Sequence, residues 1–182
     1  MIIVLAILLL LGIWLAVGYN ALVRGRNLIR ESWSGIDVQL KRRHDLIPNL
    51  VESVKAYSSH EQKLFAEISQ NRAKSIKTEG VAAKGEYENM ISGQIKSLIA
   101  IAEAYPDLKA QSGFLELQRS LSEIEDQIQY ARRYYNAVVR DYNIRVESFP
   151  SMIYARAFGF KRADYFEIEF ATQREVVNTK FD

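Results

Sequence analysis

The first 23 residues of this 182-residue chain carry no charged side chain, and the run from Ile2 to Val17 is almost wholly aliphatic. About 20 apolar residues cross the hydrocarbon core of a bilayer as a helix. A signal peptide would instead show a basic start, a shorter apolar core and small residues before a cleavage site. Ala16, Val17 and Gly18 could supply the small residues, but no Lys or Arg precedes the core. We therefore predict a retained transmembrane anchor over residues 1–23.

Three basic residues, Arg24, Arg26 and Arg30, follow the apolar run, whereas the other side offers only the terminal amine. Lys and Arg near the ends of a span are enriched on the cytoplasmic side. This bias predicts a single-pass protein of the inner or plasma membrane, with the N-terminus outside and the remaining residues, 24–182, in the cytoplasm as one domain. The same three arginines are the predicted contacts with lipid headgroups.

The next feature is an amphipathic helix that contains a proline. Apolar residues at positions 33, 36, 40, 47, 50, 51 and 54 fall on one helical stripe, and Pro48 lies within it. A helix that continues through a proline loses one backbone bond and needs support from elsewhere. The stripe stays in phase to Ile68, which favours one long kinked helix from about Asn20 to Ser75. The alternative is that Ser58 and Glu61 form a capping box that starts a second helix.

The residues from Trp33 to Val51 resemble the signature of the LemA family, with the matching run Trp-Ser-x-Ile-Asp-Val-Gln-Leu-Lys-Arg-Arg-His-Asp-Leu-Ile-Pro-Asn-Leu-Val. The segment Ala104–Ala110 and positions between Phe114 and Pro150 also resemble that family. The resemblance implies a bacterial membrane protein with a long-helix bundle. Some LemA-like proteins resemble magnetosome-formation proteins, and some are encoded beside membrane proteases of the HtpX type.

Further helices are predicted by their apolar periodicity and by prolines and glycines at their ends. After a polar linker we expect a helix that Pro106 stops, a long helix with a sustained coiled-coil-like seam, and a short helix capped by Ser151 and closed by Gly159. The predicted ranges are Lys74–Gly85 for the linker and Glu86–Tyr105, Ser112 or Phe114 to Glu147, and Met152–Phe158 for the helices.

Beyond them, Phe166, Ile168 and Phe170 alternate with acidic residues in a strand-like pattern. A lone strand forms no sheet, so we expect an extended tail that packs its aromatic side chains on the bundle or pairs with another protomer. Residues 172–182 are expected to be loosely ordered. The predicted fold is all-α: an N-terminal transmembrane helix, an elongated antiparallel bundle of three long helices plus a short fourth, and an extended C-terminal tail.

A compact charged patch within the Trp33–Val51 run is the candidate interaction surface. Three interpretations of it are open. The patch can be a solvated face with i,i+4 pairs, a polar seam that fixes register against Glu125, Asp126 or Arg132, or a binding surface for a protein partner. Its residues are Asp37, Lys41, Arg42, Arg43, His44 and Asp45.

No pattern for catalysis or for a cofactor is present in the sequence. The chain has no cysteine, and its two histidines, His44 and His60, stand roughly 24 Å apart along a straight helix. A zinc-protease motif would need a second histidine where Leu64 stands. Glycine-rich phosphate loops and nucleophile elbows are also lacking. A net charge of +2 without a clustered basic face argues against nucleic-acid binding. We predict no metal, no cofactor and no catalytic residue.

Tyrosines cluster at positions 130, 134 and 135, and we expect most of them in core or groove packing and some on an oligomer face. The functional hypothesis is a non-enzymatic membrane protein that presents a cytoplasmic helical bundle and acts as a self-associating scaffold or membrane organiser. The alternative is a signalling or regulatory adaptor that binds a membrane partner, such as a protease of the HtpX type. The expected partners are the bilayer, further copies of the chain and other membrane proteins.

Overall fold

The computed structural model describes residues 1–58 and 60–166, in which all regular secondary structure is helical. The predicted all-α class is therefore confirmed. The helices, in chain order, are α1 (Ile2–Lys55), α2 (Gln62–Lys77), α3 (Val81–Glu103), α4 (Pro106–Lys109), α5 (Ser112–Glu147) and α6 (Ser151–Ala157).

The apolar N-terminal run and the first bundle helix form one uninterrupted helix, as its lack of an early proline predicts. α1 is the helix, among the described residues, that is long and apolar enough to cross a membrane. Its most apolar window of 18 residues has a mean hydropathy of 2.8 and is not buried within the protein. Its glycines do not break it, because a helix interior tolerates Gly at a cost of about 1 kcal/mol relative to Ala.

The predicted helix from Asn20 to Ser75 is wrong in its second half. α1 ends at Lys55, and α2 begins at Gln62 with Glu61 at the N-cap position. The alternative of a new helix is thus confirmed, although it starts later than a Ser58 cap would place it and Glu61 makes no side-chain capping bond. The apolar stripe stays in phase because Val54 at the end of α1 and Ile68 on α2 enter the same core.

The later helices match the predictions at most of their ends. α5 has the predicted range from Ser112 to Glu147, and α3 ends two residues before the predicted limit of Tyr105. The predicted linker is shorter than expected, since only residues 78–80 separate α2 from α3. The single turn of α4, for which Pro106 supplies the first residue, was not predicted.

α6 ends as its glycine predicts. Gly159 has φ +72°, and its N–H donates to Arg156 O, while the N–H of Phe160 donates to Ala155 O at 2.9 Å. These two bonds form a Schellman motif, which reverses the chain and brings the residue after the glycine back onto the protein. At the other end, Ser151 is the first residue of α6 rather than its cap, and its hydroxyl donates to Ser148 O.

The chain folds into two compact units. Of the described residues, unit 1 comprises 1–41 and 126–165, and unit 2 comprises 42–125 together with Phe166. In unit 1, α1 and α5 run antiparallel, since Tyr142 lies against Gly25 and Tyr135 lies against Trp33. In unit 2, the end of α1, α2, α3 and the start of α5 surround one apolar core.

The segment after α6, described as far as Phe166, tests part of the predicted extended tail. Phe166 is fully buried. Within unit 1, the carbonyl of Ala163 accepts a hydrogen bond from the Asn143 side chain at 3.0 Å, and its N–H donates to the same side chain at 2.9 Å. The predictions for Ile168, Phe170 and residues 172–182 fall outside the described residues.

Candidate functional site

A cluster of charged and hydroxyl side chains lies inside unit 2, beside the apolar core. We call it the charge cluster. It joins α1, α2, α3 and α5, and every one of its members has a side-chain partner within the cluster. Its residues are Arg43, His44, Ser75, Glu88, Ser92 and Glu125.

Arg43 is the centre of the charge cluster. Its side chain is fully buried, and its guanidinium forms an ion pair with the fully buried carboxylate of Glu88. Nη1 donates to Ser92 Oγ at 2.6 Å and to Glu125 Oε1 at 2.5 Å, and Nη2 also donates to the backbone carbonyl of Glu88. A planar guanidinium with several fixed donors suits such a multiple contact, which a lysine ammonium could not reproduce.

Glu88 accepts hydrogen bonds from three side chains on two helices, α1 and α2. Besides Arg43, the Ser75 hydroxyl on α2 donates to Oε1, and His44 Nε2 lies 2.8 Å from the same oxygen. An ionised carboxylate only accepts hydrogen bonds, so this histidine nitrogen carries the proton. Burial would raise the pKa of Glu88, but the His44 bond, the charge of Arg43 and the Ser75 bond lower it from 4.5 to about 2.

A backbone contact beside the charge cluster explains how α1 continues through Pro48. A proline has no N–H, so the carbonyl four residues earlier, that of His44, loses its partner in the helix. The Nε of Arg72, on α2, donates to this carbonyl at 2.6 Å. The missing helical bond of α1 is therefore replaced by a bond from the neighbouring helix, which is the outside support that the sequence required.

The arrangement holds helices together and is poorly suited to proton transfer. A general base works best with a pKa near the operating pH. A carboxylate with a pKa of about 2, surrounded by donors, is a weak base. The carboxylate of Glu125 likewise accepts hydrogen bonds, one from Arg43 and one from the Ser92 hydroxyl at 3.1 Å.

The structure divides the predicted interaction surface. Arg43 and His44 are buried, so their inclusion in a surface is wrong, because both side chains turn inward to Glu88. The contact that the polar-seam interpretation expected with Glu125 is present, as an ion pair with Arg43 at 2.5 Å, while its role in fixing the register stays a prediction. The remaining four residues of the patch are exposed, and their role in binding stays a prediction. They are Asp37, Lys41, Arg42 and Asp45.

Sequence reasoning missed Glu88, although a signal for it was present. Glu88 continues the spacing of three and four residues that Ile91, Ile95, Leu98 and Ala102 follow on α3. A charged residue in such an apolar register position indicates a buried partner of opposite charge. The two serines carried no comparable signal, because serine is common on both buried and exposed helix faces.

The predicted lipid contacts Arg24, Arg26 and Arg30 are all exposed on α1 in unit 1. The Arg26 guanidinium lies 5.4 Å from the centre of the Phe160 ring, within the range of a cation–π contact. The exposure of all three is compatible with contact to headgroups, which stays a prediction.

The predicted tyrosine cluster is split between core and surface. Tyr135 is buried, and its hydroxyl donates to Asp164 O at 2.9 Å. Burial, with the nearby charge of Asp164, raises the pKa of Tyr135 to about 12. Tyr130 and Tyr134, one helical turn apart, are both more than half exposed, and the Arg133 guanidinium stacks 4.7 Å from the Tyr130 ring centre.

Comparison with known proteins gives consistent results along most of the chain. The LemA family model matches residues 32–181. Magnetosome protein MamQ 2 of Paramagnetospirillum magneticum is 25% identical over 175 residues, which cover 82% of this chain and 64% of that protein. Magnetosome protein MamQ of Magnetospirillum gryphiswaldense is also 25% identical, over 81% of this chain and 64% of its own length.

A third relative, Protein LemA of Metamycoplasma hominis, is 30% identical over 135 residues, which cover 71% of this chain and 60% of that protein. The chain thus spans less than two thirds of the length of the curated relatives it matches. Because the family model covers most of the chain, including the Trp33–Val51 run that carries Arg43, His44 and Pro48, the protein belongs to the LemA family.

Proposed function

We propose that the protein is a non-enzymatic, single-pass membrane protein that presents a helical bundle to the cytoplasm and acts as a self-associating, membrane-organising scaffold. The observation that carries this proposal is the continuity of α1, which runs from Ile2 to Lys55 without a break. No loop separates the apolar run from the first bundle helix. The anchor, residues 1–23, can therefore hold the bundle domain, residues 24–182, in a set orientation to the bilayer.

The proposed orientation rests on the residues that follow the apolar run. Arg24, Arg26 and Arg30 are exposed within about two helical turns of its end, where cytoplasmic basic residues are concentrated. Their side chains can reach anionic headgroups, since a basic residue near the surface contributes about 1 kcal/mol to such binding. This supports an N-terminus outside the cell and a bundle inside it.

Self-association is proposed through the exposed face of α5 that carries Tyr130 and Tyr134. Tyrosine is enriched in protein interfaces because it combines a large apolar ring with a hydroxyl that can find a partner. Val38 is also more than half exposed, on α1 of the same unit. In the antiparallel pairing of α1 with α5, it lies near the level of Tyr130. These side chains offer the apolar and aromatic centre that an interface between copies requires.

Crosslinking in membranes tests the scaffold. The chain has no cysteine, so a Gln127→Cys variant carries one reactive thiol, at an exposed position of the same face of α5, and keeps both tyrosines. We expect a thiol crosslinker to give dimers and larger species from the full chain in native membranes. Lys63→Cys, at an exposed position of α2, is the matched control and should crosslink less. A strictly monomeric Gln127→Cys protein under the same conditions would contradict the proposal.

The adaptor function remains a second candidate, favoured by the exposed part of the charged patch. Lys41 and Arg42 are exposed, whereas Arg43, next to them, is a buried member of the charge cluster. A Lys41→Ala/Arg42→Ala variant that keeps Arg43 should retain its far-UV circular dichroism spectrum and lose a copurifying membrane partner, for which an HtpX-type protease is the first candidate. Unchanged copurification would exclude this surface as the docking site.

A further inference from the structure

α6 packs against the apolar N-terminal part of α1, within unit 1. The ring of Tyr154, on α6, makes an edge contact with Trp14 at 5.3 Å between ring centres. The same ring lies so close to Gly18 that a Cβ there would stand 2.6 Å from its Cζ and Oη atoms. After the Schellman motif, the ring of Phe160 makes an edge contact with the ring of Tyr19, at 5.6 Å between ring centres. The level of α6 along α1 is therefore fixed by contacts on both sides of Gly18.

This level lies within the apolar run and before its first charged residue. A span of about 20 residues that begins at Ile2 includes both Trp14 and Gly18. Gly18 is six residues before Arg24, or roughly 9 Å along the helix axis. Helices that lie in a membrane interface bury their apolar face about 5–10 Å into the boundary of headgroups and acyl chains. The depth of α6 agrees with that range.

The outward side of α6 and its two flanks is apolar. Phe149, Ile153 and Phe158 are 79%, 60% and 58% exposed, while Tyr154 and Ala155 on the other side are buried against unit 1. Two largely exposed phenylalanines beside an isoleucine are unusual on a surface that faces water, even though the Phe158 ring also makes an edge contact with Tyr19 at 5.0 Å between ring centres. A bilayer that surrounds residues 1–23, as in the proposed function, would lie beside these side chains at the level of Gly18.

Basic residues accompany this apolar side. Arg156 lies on α6, and Lys161 and Arg162 follow it, all of them exposed, with Arg162 also in an exposed ion pair with Glu147 at 3.1 Å. Long basic side chains at this level can lay their methylene stems along the apolar surface and place their charges among the headgroups. Arg24 and Arg26 add positive charge on the adjacent part of α1. The charge pattern thus complements an anionic lipid surface.

A second copy of the chain is a poorer occupant for this surface. An aromatic side chain can bury about 150–250 Å², so three side chains of this size offer at most about 750 Å², and these three are already partly covered. Stable interfaces bury about 800 Å² on each partner. The bilayer, which already surrounds the neighbouring turns of α1 in the proposed function, needs no such minimum.

We propose that α6, with Phe149 and Phe158 at its ends, is a second membrane contact: an interfacial element that inserts its apolar side into the headgroup–acyl boundary beside the anchor. This inference rests on the membrane anchoring in the proposed function. With α6 inserted in this way, its packing against α1 fixes the tilt of α1 where that helix leaves the bilayer.

Depth-dependent fluorescence quenching tests the proposal on the full chain. Because the chain has no cysteine, Ile153→Cys, Leu9→Cys and Glu52→Cys variants each accept one environment-sensitive fluorophore. All three positions are exposed in the structure, so the label does not disturb a core. Each labelled protein is placed in vesicles of phosphatidylcholine and phosphatidylglycerol that contain lipids with a nitroxide either near the headgroup or near the acyl-chain end.

We expect the label at position 153 to emit at shorter wavelength than the label at position 52 and to lose more emission to the shallow nitroxide than to the deep one. The label at position 9 should be quenched by lipid, and the label at position 52 should not. Quenching at position 9 without quenching at position 153 would overturn the proposal for α6 and leave the anchor intact.

Two other outcomes also decide the matter. Absence of quenching at position 9 would overturn the membrane anchoring in the proposed function, and the proposal for α6 with it. A blue-shifted but unquenched label at position 153 would mean that another protein copy covers α6, which also overturns the lipid contact. Self-quenching of the fluorophore that disappears on dilution with unlabelled protein would identify that copy.

Discussion

The guanidinium of Arg43 and the carboxylate of Glu88 form an ion pair from which water is fully excluded on both sides. Isolated buried charges are unfavourable, and the pair is stabilised here by further donors and acceptors on α1, α2, α3 and α5, which leave only Arg43 Nε among the guanidinium nitrogens without a partner in the described part of the chain. The bonds to this pair can all form together only when the helices that carry them are aligned in one register. The charge cluster therefore fixes the register of unit 2 in a way that an apolar core alone would not.

Glu88→Gln is expected to destabilise the protein strongly. The substitution removes the charge that compensates Arg43 inside unit 2, and breaking a buried pair costs about 3–5 kcal/mol. The midpoint of unfolding by urea, followed by circular dichroism on the full chain in detergent micelles, measures the effect. Glu67→Gln is the control, because its ion pair with Lys63 is exposed and such pairs contribute less than about 1 kcal/mol. Equal midpoints for the two variants would contradict a stabilising role of the pair.

The pKa of Glu88 predicts acid sensitivity. It is lowered from 4.5 to about 2 in the folded protein, so the resulting stabilisation is complete above the unfolded value and is lost as the pH falls through the folded value. That difference corresponds to about 3 kcal/mol. We expect the free energy of unfolding to fall between about pH 5 and pH 2. Glu88→Gln should show a shallower decline over this range, and parallel curves would rule out Glu88 as its source.

The bond from Arg72 to the carbonyl of His44 predicts an energetic coupling with Pro48. Arg72→Met leaves that carbonyl without its donor, which costs about 1–3 kcal/mol. Pro48→Ala restores a backbone N–H that can bond the same carbonyl within α1. The cost of Arg72→Met should therefore be smaller in the Pro48→Ala background. A double-mutant cycle of unfolding free energies measures the coupling, and strictly additive effects would show that the two residues act separately.

The sequence allowed the helical class, the continuity of α1 and the limits of α5 to be predicted, because each depends on local periodicity. The sequence also contained a signal for the charge cluster. Arg43 occupies the register position between Leu40 and Ile47, as Glu88 does at the start of the stripe on α3. A stripe defined by apolar residues alone omits both.

The break after Lys55 could not be predicted in the same way. A hairpin that returns to the same core can keep the apolar spacing of a continuous helix, as Val54 and Ile68 show. The contact of α6 with α1 also depends on tertiary structure. Gly18 first fits the pattern of small residues before a cleavage site, and only the packed ring of Tyr154 shows why a side chain is excluded there.

Gly18→Ala is the last expected change, and it tests the packing of α6 directly. A methyl group at Gly18 would meet the Cζ and Oη atoms of Tyr154 at 2.6 Å, and that ring is held against Trp14. Overpacking of this kind costs about 1–3 kcal/mol and should loosen α6. Hydrogen exchange of residues 151–160, measured by mass spectrometry, should become faster. Gly12→Ala is the matched control, because nothing lies within 4 Å of its added methyl group. Unchanged exchange in Gly18→Ala would mean that Tyr154 moves aside without releasing α6.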